Sequence, residues 1–337
     1  MLSPIVALTV MSTPTQLNPQ LKIVDAGLGT KLKAQLAKVI QETGVPAMAA
    51  AVVVDGQVKA IAFHGKRRAG KAASVAGNDL WQLGSITKVF TKEVIRKAVN
   101  EKRIAWETTL ARAFPNYVGT MHDKVKSLTI KQVADHTSGF ANTHEGKPEL
   151  FPPNMTLMQT RQKHVELAMG IEPPAAPGPY AYSNFGYCLL GALSEKIYGL
   201  PYESVLKLKI LMPAGITNVF FGEPGLISPN QPWPHTFKDG KATPVSSCKN
   251  SLDYNVYAPA GHLSVSAVDA PKLLLGYMNG GGPSRGHDGS NGRNYARISM
   301  DTPKKYGYLI MTNCGGETGK AALTAVQDWI AINIPKP

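Results

Sequence analysis

The chain has 337 residues, of which 43% are hydrophobic, so it is long enough to bury a large core. Its 36 basic and 23 acidic residues give a net charge of +13, which favours anionic surroundings such as cell-wall polymers or phospholipid surfaces. The basic residues are scattered and only 7% of the residues are aromatic, which argues against nucleic-acid binding. No apolar run reaches the ~18 residues that a membrane-spanning helix needs.

The first part of the chain predicts a helix followed by a β-hairpin. The apolar run at residues 4–11 has the length of a signal-peptide core, although no Lys or Arg precedes it. Residues 29–43 have apolar positions at helical spacing and are followed by Gly and Pro stop signals. Residues 47–54 and 58–64 are rich in strand formers and are joined by Asp55-Gly56, a strong hairpin signal.

The middle of the chain is predicted to be mostly helical, with Pro- and Gly-rich loops such as residues 172–179. Near the C-terminus, residues 295–300 and 306–313 have strand patterns, and residues 321–332 predict a closing helix. The terminal segments would together form one antiparallel sheet flanked by helices. The predicted class is therefore α/β in the α+β sense.

We divide the chain into two lobes of one intertwined unit. Residues 1–80 and 255–337 would form a discontinuous α/β lobe, and residues 81–254 an inserted, mostly helical lobe. Because ligands often bind in clefts between lobes, the site is expected between the two.

Ser85 and Lys88 form the most informative local pattern. Apolar residues follow Ser85 at helical spacing, and residues three apart lie on one face of a helix. The Lys88 amine would then lie beside the Ser85 hydroxyl and could act as a base if burial depressed its pKa. The alternative is a Ser85 that caps a helix and a Lys88 that is a solvated charge.

Order and spacing distinguish this S-x-x-K from chance matches. The same pattern occurs at residues 204–207 and 246–249, so the pattern alone is weak. Only Ser85–Lys88 is followed at long range by Tyr182-Ser-Asn184 and then by His287-Asp-Gly289.

Around these motifs the chain resembles the serine β-lactamase and penicillin-binding-protein superfamily, in its class C β-lactamase-like branch. The matching runs are residues 81–91, 128–140, 177–187, 189–199, 259–269 and 286–290. That branch contains class C β-lactamases, DD-peptidases, D-amino-acid amidases and a group of carboxylesterases. The resemblance implies a β-lactamase/transpeptidase-like fold.

The resemblance also implies roles for the matching residues. Ser85 would be the nucleophile that forms an acyl-enzyme, and Lys88 would accept its proton. Tyr182 would pass that proton to the leaving group, provided that nearby cations lower the pKa of its phenol. Asn184 would bind the side-chain amide of the substrate. His287, where β-lactamases have Lys, would supply a hydrogen-bond donor near Tyr182.

The same resemblance places an oxyanion hole at the backbone N–H groups of Ser85 and Ser290. Gly289, which lacks a side chain, would let its strand pass close to the ligand.

Asp288 departs from the family pattern, which has Thr or Ser there to bind a substrate carboxylate. An aspartate would repel that carboxylate. It could instead accept the ammonium group of a D-amino-acid amide or ester. Three arginines nearby in sequence, Arg285, Arg293 and Arg297, could neutralise it, and the sequence does not say which way they point.

The resemblance predicts a serine hydrolase that acts on an amide or lactam carbonyl without a metal or organic cofactor. A carboxylesterase on short-chain esters is the alternative, and a penicillin-binding or sensor module that never turns over is the second. The substrate would be a small molecule or derive from peptidoglycan. A periplasmic or secreted location is favoured over a cytoplasmic one, and a monomer over an oligomer.

The three cysteines, Cys188, Cys248 and Cys314, lack the spacing of a metal site. Cys188 is interpreted as a small buried hydrophobic residue. A Cys248–Cys314 disulfide is compatible with the sequence but not required by it.

Overall fold

The structure is a computed structural model that describes residues 25–140, 155–245 and 256–337. In these ranges the α-helices are α1 (Ala26–Thr43), α2 (Thr87–Asn100), α3 (Leu110–Ala113), α4 (Asp123–Lys126), α5 (Ile130–Ala134), α6 (Leu157–Met169), α7 (Asn184–Tyr198), α8 (Tyr202–Leu206), α9 (Pro224–Ile227), α10 (Ala258–Gly261), α11 (Ala270–Asn279) and α12 (Gly316–Asn333). The strands are β1 (Ala47–Val54), β2 (Gln57–Gly65), β3 (Leu80–Gln82), β4 (Val219–Phe221), β5 (His235–Lys238), β6 (Lys241–Pro244), β7 (Leu263–Ser266), β8 (Arg285–Ser290), β9 (Tyr295–Asp301) and β10 (Tyr306–Thr312).

A five-stranded antiparallel sheet, in the order β2-β1-β10-β9-β8, joins the two ends of the chain. The predicted α/β class and the antiparallel sheet flanked by helices are confirmed. The hairpin turn lies at Asp55 and Gly56, both with a positive φ, as the Asp-Gly signal requires. Strand β1 has the predicted bounds and is buried along its whole length because helices cover both faces of the sheet.

Helices α1 and α12 pack together on one face of the sheet. Asp25 caps the N-terminus of α1, and Gly44 ends it in the left-handed conformation. Leu32 and Leu36 of α1 and Leu323 of α12 are buried in one apolar cluster with residues from the sheet. This layer supports the sheet from the side opposite to α2.

Helices α2 and α11 cover the other face, together with a small sheet of β3, β7 and β4. A separate apolar cluster lies among the helices of the middle region and includes Phe185 and Leu189 of α7. Helix α2 contributes to both clusters, with Val94 in one and Ile95 in the other. The 3₁₀ turn Gly84–Ile86, which carries Ser85, therefore lies where the sheet and the helical region meet.

Among the described residues, no helix is both long enough and apolar enough to cross a membrane.

Candidate active site

Ser85 lies in a tight turn that hydrogen bonds hold in place. The residue before it, Gly84, has a φ of +53°, a conformation that glycine adopts at little cost. Thr87 Oγ1 donates to the Gly84 carbonyl at 2.7 Å and accepts from the Leu263 N–H at 3.0 Å. Ser85 therefore lies in the 3₁₀ turn directly before α2 and is not the N-cap of that helix, which is Ile86.

Lys88 lies within hydrogen-bond distance of the Ser85 hydroxyl, as its place three residues later predicts. Its Nζ is 3.1 Å from Ser85 Oγ, and it donates to the Ala260 carbonyl at 2.5 Å. The residue is only 1% exposed, so Lys88 is not the solvated surface charge of the alternative interpretation. A buried amine fixed against a hydroxyl is suited to move a proton to or from it.

Tyr182 brings a third functional group to Ser85. Its side chain hydrogen-bonds that of Ser85, and its ring centroid is 4.9 Å from Lys88 Nζ. Burial raises the pKa of the Tyr182 phenol more than the Ser85 contact lowers it. This differs from the expectation that nearby cations would lower the pKa, because burial has the largest effect on this phenol. The phenol is therefore protonated at neutral pH.

His136 holds the segment that carries Tyr182, a role that the sequence did not reveal. Its Nδ1 accepts the Ser183 N–H at 3.1 Å, and its carbonyl accepts the Ala181 N–H at 2.7 Å. Its ring stacks on Tyr182 with 4.5 Å between centroids. Burial lowers the pKa of His136 to about 4, with a further contribution from nearby cations. The ring is therefore neutral at pH 7, with its proton on Nε2.

Asn184 is the first residue of α7, two positions after Tyr182. Ser183 caps this helix by accepting the Gly186 N–H at 3.0 Å. The cap fixes the start of α7, so Tyr182 and Asn184 flank one ordered turn. The substrate-binding role of Asn184 stays a prediction.

Strand β8 approaches the Ser85 turn more closely than side chains would allow. A Cβ on Gly289 would lie 1.9 Å from the Leu83 carbonyl oxygen, and a Cβ on Gly84 would lie 2.6 Å from Ser290 N. Both positions therefore require glycine. The backbone N–H groups of Ser85 and Ser290 belong to these two adjoining segments, as an oxyanion hole would need.

His287 lies on the same face of β8 as Gly289, since side chains alternate along a strand. Its Nδ1 is 2.5 Å from the Asp288 carbonyl oxygen, which can only accept, so Nδ1 carries the proton. Burial lowers the pKa of His287, and Lys88 and Arg285 add to the effect. In the neutral ring Nε2 is thus an acceptor, whereas the sequence led us to expect a donor.

Asp288 points to the opposite face of β8. Its two carboxylate oxygens accept from Arg297 Nε at 2.7 Å and Arg297 Nη2 at 2.8 Å, and Tyr295 donates at 3.1 Å. Arg297 also donates to Gln327 of α12 at 2.8 Å. These contacts lower the pKa of Asp288 despite partial burial. The geometry gives no support to Asp288 as an acceptor for a substrate ammonium group.

The cysteines lie apart from this arrangement. Cys188 and Cys314 are buried, and burial raises the pKa of the Cys314 thiol to about 12. Cys248 lies outside the described residues, so the disulfide stays a prediction. Within the parts of the chain that the structure describes, no three His, Cys, Asp or Glu side chains converge as metal ligands.

The family model for Beta-lactamase matches residues 32–290, which includes every residue of the candidate site. The chain belongs to this family. A β-lactamase of Yersinia enterocolitica is 26% identical over 228 residues, covering 67% of this chain and 55% of the relative. The chain thus spans about half the length of the curated relatives it matches.

Solved structures agree on the fold. The octameric penicillin-binding protein homologue from Pyrococcus abyssi has a TM-score of 0.69 at 20% identity, covering 91% of this chain and 77% of that one. D-alanine carboxypeptidase AmpC from Burkholderia cenocepacia has a TM-score of 0.65 at 17% identity, covering 89% of this chain and 98% of that one. At these identities the likeness shows the fold alone.

Proposed function

We propose that the protein is a serine hydrolase that forms an acyl-enzyme on Ser85 from substrates with an amide or lactam carbonyl. The observation that carries this proposal is the buried contact of 3.1 Å between Lys88 Nζ and Ser85 Oγ. A hydroxyl is a weak nucleophile until an adjacent base takes its proton. The names of the similar proteins, a β-lactamase and a D-alanine carboxypeptidase among them, support an amide or lactam substrate.

In the acylation step, Ser85 Oγ forms a bond to the carbonyl carbon while Lys88 Nζ accepts the hydroxyl proton. Lys88 can accept this proton only in its neutral form, and its hydrogen bond to the Ala260 carbonyl would then help aim the single lone pair at Ser85. Tyr182, protonated at neutral pH, donates its proton to the leaving nitrogen as the bond to carbon breaks. The proton on Lys88 then returns to Tyr182, which restores both groups.

Negative charge develops on the carbonyl oxygen during this step. The N–H groups of Ser85 and Ser290 would stabilise it, each contributing about 3–4 kcal/mol if it acts as donors of this kind commonly do. The two glycines at the contact of β8 with the turn support this role, because any side chain there would separate the two segments.

The test is turnover of a chromogenic cephalosporin and of a short-chain p-nitrophenyl ester by the wild-type protein and Ser85→Ala. Ser204→Ala is the matched control, because Ser204 of α8 and Lys207, which directly follows that helix, repeat the S-x-x-K spacing. We expect cephalosporin turnover in the wild type and in Ser204→Ala and none in Ser85→Ala.

Other outcomes would redirect the proposal. Turnover of the ester alone would identify an esterase. A stable adduct on Ser85 in mass spectrometry, without a second turnover, would identify a binding or sensor module. Activity that survives in Ser85→Ala would mean that the nucleophile is misassigned.

A further inference from the structure

A buried polar cluster holds the turn between β8 and β9, directly after Ser290. Its centre is Glu223, which precedes α9 and is only 3% exposed. Asn291 Nδ2 donates to Glu223 Oε1 and also to Gln82 Oε1. Arg293 Nε lies 3.1 Å from Glu223 Oε1, so the charge of the buried carboxylate is paired. None of these four side chains has a role in the acylation step described above.

The turn itself is shaped by Asn291 and Ser290. Asn291 Oδ1 accepts the N–H groups of Arg293 at 3.0 Å and Asn294 at 2.9 Å. The Ser290 hydroxyl accepts the Gly292 N–H at 3.1 Å and donates to the Asn294 carbonyl at 3.0 Å. Asn291 therefore uses the two ends of its amide differently. The oxygen shapes the turn, and the nitrogen fixes the turn to the cluster.

Glu223 and Gln82 are anchored to the same strand that holds the Ser85 turn. Gln82 belongs to β3, which pairs with one side of β7, and β4, which ends two residues before Glu223, pairs with the other side. Strand β7 also binds the Ser85 turn, because the Leu263 N–H donates to Thr87 Oγ1 at 3.0 Å. The cluster therefore ties the end of β8 to the framework that carries the nucleophile.

This tie bears on the spacing of the two N–H groups assigned to the oxyanion hole. They belong to Ser85 and Ser290, on two segments in close contact, since a Cβ on Gly84 would lie 2.6 Å from Ser290 N. Ser290 ends β8, which is an edge strand and pairs within its sheet with β9 alone. A donor stabilises an oxyanion best at about 2.7–3.1 Å, and a misplacement of about 1 Å can lower a rate about 100-fold.

We propose that Glu223 and Asn291 are positioning residues for the oxyanion hole. They hold the Ser290 N–H at the place where it and the Ser85 N–H bind the same oxygen. Both act through the turn after Ser290 and not on the substrate itself. Burial strengthens this hold, because hydrogen bonds are stronger in a low dielectric and Gln82 is only 4% exposed. The inference rests on the proposed acyl-enzyme function.

The test compares a p-nitrophenyl ester with the thionoester of the same acyl group, in which sulfur replaces the carbonyl oxygen. Sulfur accepts hydrogen bonds weakly, so the preference for the oxygen ester reports on the oxyanion donors. Asn291→Asp keeps an oxygen that can shape the turn but places a carboxylate against Glu223. It should lower kcat/KM for the oxygen ester roughly tenfold or more and for the thionoester much less.

Glu223→Gln should give a smaller loss of the same kind. Its amide keeps one acceptor oxygen for Asn291 but loses the charge that binds Arg293. Glu203→Gln is the matched control, since it removes the charge of another largely buried carboxylate, which Arg161 of α6 binds at 2.7 Å. The control should keep the wild-type ratio of the two rates.

This ratio does not depend on how much of a variant is folded, because the same folded molecules hydrolyse both substrates. An unchanged ratio in Asn291→Asp would overturn the inference, even if its activity falls. An equal loss of the preference in Glu203→Gln would overturn it as well, since a distant carboxylate would then have the same effect.

If the wild type hydrolyses neither substrate, the proposed function has failed for esters, and the hold on the turn is tested by hydrogen–deuterium exchange of the full chain. Peptides that cover residues 285–295 should exchange faster in Asn291→Asp than in the wild type and should be unchanged in Glu203→Gln. Equal exchange in Asn291→Asp and the wild type would overturn the inference.

Discussion

The two faces of strand β8 serve different parts of the molecule. Arg285, His287 and Gly289 face α2 and the Ser85 turn, whereas Asp288 is bound to Arg297 beneath α12. Side chains alternate along a strand, so neighbours in one short motif can have unrelated tasks. His287 and Gly289 belong to the candidate site, and Asp288 belongs to the attachment of the sheet to α12. The difference shows that the role of a residue in a motif on a strand depends on which face of the strand its side chain occupies, as well as on its position in the sequence.

The largest effect on activity is expected from the groups around Ser85, which the His287 face of β8 approaches. Lys88→Ala and Tyr182→Phe should each lower kcat by roughly 10²–10⁴, the usual range for a general acid–base group. Lys207→Ala is the control, since it removes the lysine of the S-x-x-K pattern at residues 204–207, at the C-terminal end of α8. Steady-state kinetics on the substrate that the wild type turns over would test this. Wild-type rates in either variant would remove that residue from the mechanism.

As the pH falls, the surroundings of Tyr182 should be destabilised before the ion pair of Asp288 and Arg297. The folded protein keeps His136 neutral down to about pH 4, whereas the unfolded chain takes up a proton near pH 6.5. The unfolded state therefore binds more protons between these values, and stability falls as the pH drops from 6.5 to 4, by about 3 kcal/mol from this group. Asp288 has a lowered pKa, so its contribution is present above its unfolded value and is lost only below about pH 3.8.

His136→Asn tests this assignment by urea unfolding at a series of pH values. Asparagine can accept the Ser183 N–H without titrating, and it tolerates the φ of +58° at this position. The variant should lose less stability than the wild type between pH 6.5 and pH 4. The other histidines are unchanged and cancel in the comparison. Identical pH slopes in the two proteins would contradict the role given to His136.

Two glycines of β8 give a matched pair. Gly289→Ala would place its Cβ 1.9 Å from the Leu83 carbonyl oxygen, whereas the nearest atom to a Cβ at Gly286 is 3.8 Å away. Gly289→Ala should cost about 1–3 kcal/mol of stability, the usual penalty of overpacking, and should lower activity by moving Ser290. Gly286→Ala should change neither substantially. The measurements are thermal unfolding and kcat/KM for both variants. Equal effects of Gly289→Ala and Gly286→Ala would contradict the close approach of β8 to the Ser85 turn.

The smallest effect on stability and activity is expected from Asp288, on the face of β8 opposite to His287. Asp288→Asn removes a charge from an ion pair whose carboxylate side chain is 37% exposed, so the loss of stability should be below about 1 kcal/mol. Activity should stay within about twofold, because the carboxylate does not face Ser85. A large change in KM for a substrate with a free amine would restore Asp288 to the binding site.

The sequence predicted the parts that depend on local spacing. The i, i+3 relation of Ser85 and Lys88 was enough to place the amine at the hydroxyl, and the Asp55-Gly56 hairpin followed from turn chemistry. The direction of Asp288 depends on its pairing with Arg297 of the neighbouring strand β9, which no single segment encodes. His136 was missed because its role arises from a contact with Ser183, 47 residues later.

The central position of β10 has a consequence for biosynthesis. Strand β8 joins the sheet only through β9 and β10, and β10 pairs with β1. A nascent chain could therefore bring Ser85, Lys88 and Tyr182 together while β8 still lacks a sheet on which to dock. Domains fold as units as they leave the ribosome, and pairing between distant strands is slow. Of the two N–H groups assigned to the oxyanion hole, that of Ser290 would therefore reach its place last, after β10 has been translated.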